Sequence, residues 1–169
     1  MKRIGALLIV CSCLLYCVRF IRSQRARLSE LEGLASLLEG MGAELKERLT
    51  PLPELIGLMG GRAGGSALSF ICELEKNMLR LGDESFADIW QDCFRRSFKL
   101  LDERESRAAM ELGMSLGRFE VDAQLRAIDG CTRLLRERAS ELRREQRDKR
   151  RVHMGLACAG GAMLVIVLI

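Results

Sequence analysis

The sequence predicts an all-α protein, a cytoplasmic bundle of about six helices between an N-terminal and a C-terminal transmembrane helix. Three observations predict it. Both ends of the chain are apolar runs bordered by bases. Two long stretches repeat apolar residues at spacings of three and four, the helical period. No stretch alternates apolar and polar residues in the manner of a strand, and threonine occurs only at Thr50 and Thr132.

The C-terminal run, Met154–Ile169, holds no charge and no strongly polar side chain. A helix rises 1.5 Å per residue, so spanning a hydrocarbon core of ~30 Å takes ~20 residues. Val152–Ile169 falls slightly short, and snorkelling arginines at its start make up the difference. Ile4–Val18 mirrors it at the other end, with Lys2 and Arg3 before and Arg19, Arg22, Arg25 and Arg27 after. A cleaved signal peptide competes for this segment, but no small-x-small cleavage site follows, and Phe20 and Ile21 lead straight into arginines. The expected division is an anchor at 1–21, a helical bundle at 22–151 and an anchor at 152–169.

Charge orients the spans. Residues 19–27 carry four arginines and no acid, and residues 143–151 carry six bases and two acids. The positive-inside rule then puts the middle of the chain in the cytoplasm. Arg19, Arg22, Arg25, Arg147, Lys149, Arg150 and Arg151 are the expected interface residues, placed where anionic head groups lie. The net charge of +4 conceals an acidic centre, because residues 28–142 hold fifteen bases against twenty-one acids, a net −6. Nucleic-acid binding needs a basic stripe on the folded domain, and this domain has the opposite sign.

The first long helix is expected to leave the membrane without a break. Its seam is Leu28, Leu31, Ala35, Leu38, Gly42, Leu45 and Leu49. Thr50-Pro51-Leu52-Pro53-Glu54 stops it and starts a short helix over 52–59, with Thr50 as the expected cap and Pro51 at the first helical position. Gly60-Gly61-Arg62-Ala63-Gly64-Gly65-Ser66 is a loop. It lacks the Lys-Ser/Thr and the preceding strand of a phosphate-binding loop. A third helix, 66–81, presents Ala67, Ile71, Leu74, Met78 and Leu81. A fourth, 85–101, carries Phe86, Ile89, Trp90, Phe94, Phe98 and Leu101, and its aromatic bulk puts it at the centre of the core. A fifth, 102–116, offers Ala109, Leu112 and Leu116. After the Gly117-Arg118 turn, a sixth helix repeats the seam with Val121, Leu125, Ile128, Thr132, Leu135, Ala139 and Leu142. Two long helices entering one membrane face pair antiparallel. Trp90, Phe94, Leu112 and Leu135 are the expected core.

Catalytic groups are scarce. The sole histidine, His153, lies at a span boundary, so the domain has no Ser-His or Cys-His pair. No Cys-x-x-Cys occurs among the seven cysteines, and the odd count facing a reducing compartment argues against a disulfide framework. Neither an enzyme nor a cofactor, metal or small-molecule substrate is expected.

Several motifs stand in a specific order. Ile4-Gly5-Ala6 opens the first anchor, a leucine-rich helix leads to Thr50-Pro51-Leu52-Pro53, and Ala87-Asp88-Ile89-Trp90 follows a glycine-acid turn. Leu112-Gly113-x-x-Leu116-Gly117 precedes Gln124, and Met154-Gly155 with Gly160-Gly161 leads to Val165-Ile166-Val167-Leu168-Ile169. Over nearly its full length the chain resembles the stage III sporulation protein AB family. The family's aspartate soon after the Leu-Gly pair has no clear match, because Arg118-Phe119-Glu120-Val121 intervenes before Asp122. The resemblance implies a helical domain similar to that of type II secretion F proteins. It further implies a place in the SpoIIIA–SpoIIQ complex joining mother cell and forespore, in the mother-cell membrane, with the secretion-type ATPase SpoIIIAA among its partners. Thr50, Leu52, Glu54 and Arg118 are the candidate contacts, since two turns should meet at the end of the bundle farthest from the membrane. The rival is a membrane-tethered coiled-coil signalling scaffold whose seams dimerise.

Overall fold

The computed structural model describes the backbone of residues 2–117 and 120–168, and the side chains of residues 19, 22–117 and 120–147. The described residues form six α-helices: α1 (Lys2–Arg48), α2 (Leu52–Gly60), α3 (Gly65–Asn77), α4 (Phe86–Ser97), α5 (Glu103–Leu116) and α6 (Val121–Leu168). A single 3₁₀ turn, Met78–Arg80, follows α3. No strand forms among the described residues, apart from an isolated bridge between Leu81 and Glu84.

The long helices α1 and α6 run antiparallel as the paired seams require. Gln146 donates to the Gln24 carbonyl (3.1 Å), Arg143 pairs with Glu32 (2.6 Å) and Arg136 with Glu39 (2.7 Å). Gly42 lies against Ile128, near enough that a Cβ would stand 3.3 Å from its methyl. Leu31, Ala35, Leu38 and Leu45 of α1 are buried with Ile128, Leu135 and Ala139 of α6. Each helix therefore buries its apolar stripe within the chain, the usual source of helix stability in a folded domain.

The core sits between this pair and the shorter helices. Trp90, Phe94, Leu112 and Leu135 are all buried. Phe70 of α3, absent from the expected core, stands at its centre. Its ring meets Trp90 edge-on at 4.8 Å and Phe94 at 6.0 Å, and tilts against Phe98 at 5.7 Å. Such pairs add about 0.5–1.5 kcal/mol each beyond burial. The Trp90 indole N–H donates to the Ala109 carbonyl at 2.8 Å, so its one polar atom is satisfied. Gly113 makes this packing possible, since a Cβ there would fall 2.4 Å from the indole Cδ1.

Helix ends differ from the sequence expectation in four places. Thr50 is not the cap of α2; Pro51 occupies that position with extended ψ (144°), and its carbonyl accepts from Leu55 N–H at 2.9 Å. Leu49 falls off the α1 seam. Its φ of 51° is the left-handed turn that closes a helix, and this swings the side chain out to 66% exposure. Leu81 leaves the buried face of the third helix because the chain tightens to three residues per turn at Met78–Arg80 and then extends. Helix α4 stops at Ser97 rather than Leu101, where Phe98 turns extended and still buries its ring.

Among the described residues, no helix is long and apolar enough to cross a membrane. The side chains of the expected anchors, 1–21 and 152–169, lie outside the described residues except Arg19, as do those of Lys149, Arg150 and Arg151. The backbone of residues 2–21 belongs to α1 and that of residues 152–168 to α6.

Candidate partner-docking end

The topology gives the bundle two distinct ends. Both termini, with the α2–α3 loop and the α4–α5 turn, belong to one. Ser66 reaches Glu30 there at 3.1 Å, and Leu100 N–H donates to the same carboxylate at 3.0 Å. Arg19, Arg22, Arg25 and Arg147 are exposed toward this end. Arg27 behaves differently from its neighbours. It turns into the bundle and pairs with Asp102 and, at 2.9 Å, with the buried Glu105. Arg143 is likewise held by Glu32. Two of the ten flanking bases, neither of them among the expected interface residues, are thus engaged within the fold.

The far end gathers three turns. Leu49–Pro51 joins α1 to α2. Residues 78–85 join α3 to α4, and residues 117–120 join α5 to α6. The antiparallel register of α1 and α6 sets the first turn opposite the start of α6. Gln124 then donates to the Leu116 carbonyl at 3.1 Å and closes the α5–α6 corner.

The candidate contact residues divide. Glu54 is exposed in the first turn of α2, where its charge also complements the helix dipole. Leu52 is half-buried and packs against the core. Thr50 is buried and offers no surface to a partner. Arg118 lies outside the described residues. The residues that sequence reasoning missed are in the α3–α4 turn, where Leu79 is 93% exposed and Leu81 47%. Gly82 at φ 120° lets the chain reverse there. The Gly82-Asp83 pair marked a turn, but the apolar stripe ran up to it and took in Leu81, while Leu79 lay off the stripe.

A groove of about 600 Å³ along α5 is lined by Asp102, Glu103, Arg104, Arg107, Ala108, Glu111 and Leu134. Arg107 and Glu103 in it bond each other at 2.6 Å. Cys131 is buried and its thiol is pushed up to about 12 by desolvation. Burial, and then the nearby Glu73 carboxylate, also raise Cys93. Both thiols are neutral and unreactive at physiological pH. Among the described residues no group of three or more metal-ligating side chains assembles.

The sequence pattern of the family described as "Stage III sporulation protein AB (spore_III_AB)" matches residues 2–169. The chain belongs to the stage III sporulation protein AB family. A solved structure titled "Stage III sporulation protein AB (SpoIIIAB)" is similar to it in fold, with a TM-score of 0.63 and 17% sequence identity. The superposition covers 73% of this chain and 98% of that one. A search of curated proteins finds no match.

Proposed function

We propose that this member of the stage III sporulation protein AB family is a non-enzymatic adaptor of the SpoIIIA–SpoIIQ complex between mother cell and forespore. It is anchored by both ends in the mother-cell membrane and docks the secretion-type ATPase SpoIIIAA. The observation that carries this reading is the family match over residues 2–169. The two-ended bundle supports it. Both termini leave from the basic end, as in a domain hung from a membrane by two helices. By the resemblance to type II secretion F proteins, the domain is a cytoplasmic platform. Against the dimerising scaffold stands the burial of both seams inside one chain.

Affinity purification of the tagged full-length chain from sporulating cells tests the reading. SpoIIIAA is expected to co-purify with the other complex subunits. Recovery of those subunits without the ATPase would overturn the docking role. Cysteine-accessibility mapping checks the orientation, with residues 28–142 expected on the cytoplasmic side.

A further inference from the structure

We infer that the far end of the bundle, centred on the α3–α4 turn, is a docking surface for a protein that presents an apolar pocket rimmed by basic residues. This deepens the adaptor reading and rests on it. Two observations converge there. The first is apolar: Leu49, Leu79, Leu81 and Met114 are all exposed at this end, and Leu79 projects almost completely from its 3₁₀ turn. A lone exposed leucine is ordinary, but four exposed apolar side chains toward one end of a small bundle are apolar surface that a partner can cover.

The second is charge. Residues 46–54, 78–86 and 117–122 hold six acids, Glu47, Glu54, Asp83, Glu84, Glu120 and Asp122. Their described bases are Lys46, Arg48 and Arg80. Two of these are already engaged, Arg48 with Glu44 at 3.7 Å and Arg80 with Glu84. Even with Arg118 added, the end remains acidic. The opposite end carries Arg19, Arg22, Arg25, Arg144 and Arg147. The bundle is therefore electrically polarised along its length.

That polarity selects the occupant. An anionic lipid surface or a nucleic acid is drawn to the basic end and repelled by this one. A second copy meeting end to end would set acids against acids. A basic protein surface satisfies the charges, while an apolar pocket takes up Leu79, in the usual arrangement of apolar centre and polar rim. The rim charges steer and orient the partner, and the leucine contributes retention.

Photo-crosslinking of the full chain in its sporulating host tests this. A benzophenone amino acid is placed at position 79, or at the exposed Leu68 on the side of α3 as a control. The crosslinked peptide is then sequenced. The expected product at position 79 joins a partner peptide of net positive charge. Its yield should fall about tenfold when Glu54→Gln, Asp83→Asn and Glu120→Gln are combined, a loss of several partly screened charge contacts. Circular dichroism of the purified triple variant controls for folding. Crosslinks to lipid, to a second copy or to an acidic peptide would overturn the proposal, as would equal yield from the triple variant. A basic peptide from a subunit other than the ATPase would support this surface while overturning ATPase docking. ATPase captured only from position 68 would do the reverse.

Discussion

One chemical change, glycine to alanine, should have opposite effects at two helical positions of this protein. At Gly113 in α5, an added methyl would stand 2.4 Å from Trp90 Cδ1, 2.5 Å from Cγ and 2.9 Å from Cβ. None of these atoms can yield easily. The indole is fully buried, locked by Phe70 on one side and tied through its N–H to Ala109. Overpacking a core costs ~1–3 kcal/mol, and three contacts this short put Gly113→Ala near the upper end. Alanine recovers about 1 kcal/mol of helix propensity, leaving a net loss of about 2 kcal/mol. At Gly130 in α6 an added Cβ meets nothing within 4 Å, and the residue is exposed. Only the propensity remains, so Gly130→Ala should stabilise by up to about 1 kcal/mol.

Thermal unfolding of the full chain in detergent, followed by circular dichroism, reads both. For a domain of this size 1 kcal/mol corresponds to ~4 °C, so Gly113→Ala should melt about 8 °C lower and Gly130→Ala up to about 4 °C higher. Trp90 is the sole tryptophan, so its fluorescence reports the same site directly. A Gly113→Ala variant as stable as the parent, with unchanged emission, would refute the packing of Trp90 on the α5 backbone.

Three other changes have defined outcomes. Trp90→Ala empties the aromatic centre and removes the indole's hydrogen bond to the Ala109 carbonyl, and should cost ~3–5 kcal/mol by urea denaturation. Cys131 should resist thiol reagents until the chain unfolds. Its pKa is raised from 9.0 to about 12, so the folded state holds a proton that the unfolded state releases. Its contribution is therefore complete below pH 9 and lost as pH rises toward 12, and Cys131→Ala should flatten the stability profile in that window. Glu39 is held below its ordinary value chiefly by its hydrogen bond to Arg136. The pair is largely exposed, so Glu39→Gln should cost less than ~1 kcal/mol, and the parent should lose that increment only as pH falls below the usual carboxylate value of 4.5.

The periodic parts of the fold are legible in the sequence. The seams of α1 and α6 predicted their antiparallel contact because a 3-4 repeat keeps one face of a helix apolar over many turns. The aromatic spacing of α4 located the core for the same reason. Periodicity failed at helix ends. Leu49 and Leu81 continue the apolar pattern in number, yet the left-handed turn at one and the 3₁₀ turn at the other rotate them to the surface. Phe70 was hidden by a similar ambiguity. Both 67-71-74-78 and 67-70-71-74 are helical stripes, and the helix ends too early to use the first in full. The candidate site suffered most, because turns are where local backbone geometry overrides pattern.

The acidic centre of the chain was likewise legible in amount but not in purpose. Several of its carboxylates do not belong to the solvated surface at all. Glu105 is buried, accepting from Asp102 N–H at 2.8 Å and from Arg27 at 2.9 Å, and so fixes the start of α5 against α1. Glu30 accepts from Leu100 N–H and Ser66, joining the α4–α5 turn and the start of α3 to the same helix. Glu44 is buried and takes Arg62 from the α2–α3 loop at 2.9 Å. Each acid satisfies donors that a helix end or a loop leaves exposed, and each holds a short element onto α1. Removing one partner from such a buried pair leaves an uncompensated charge, which is the costly case. Glu47, Glu54, Asp83, Glu120 and Asp122, by contrast, lie at the turns of the far end. Fold stability therefore accounts for Glu105, Glu30 and Glu44, while at the tip Glu54 and Asp122 stand in the first turns of α2 and α6, where they complement the helix dipoles.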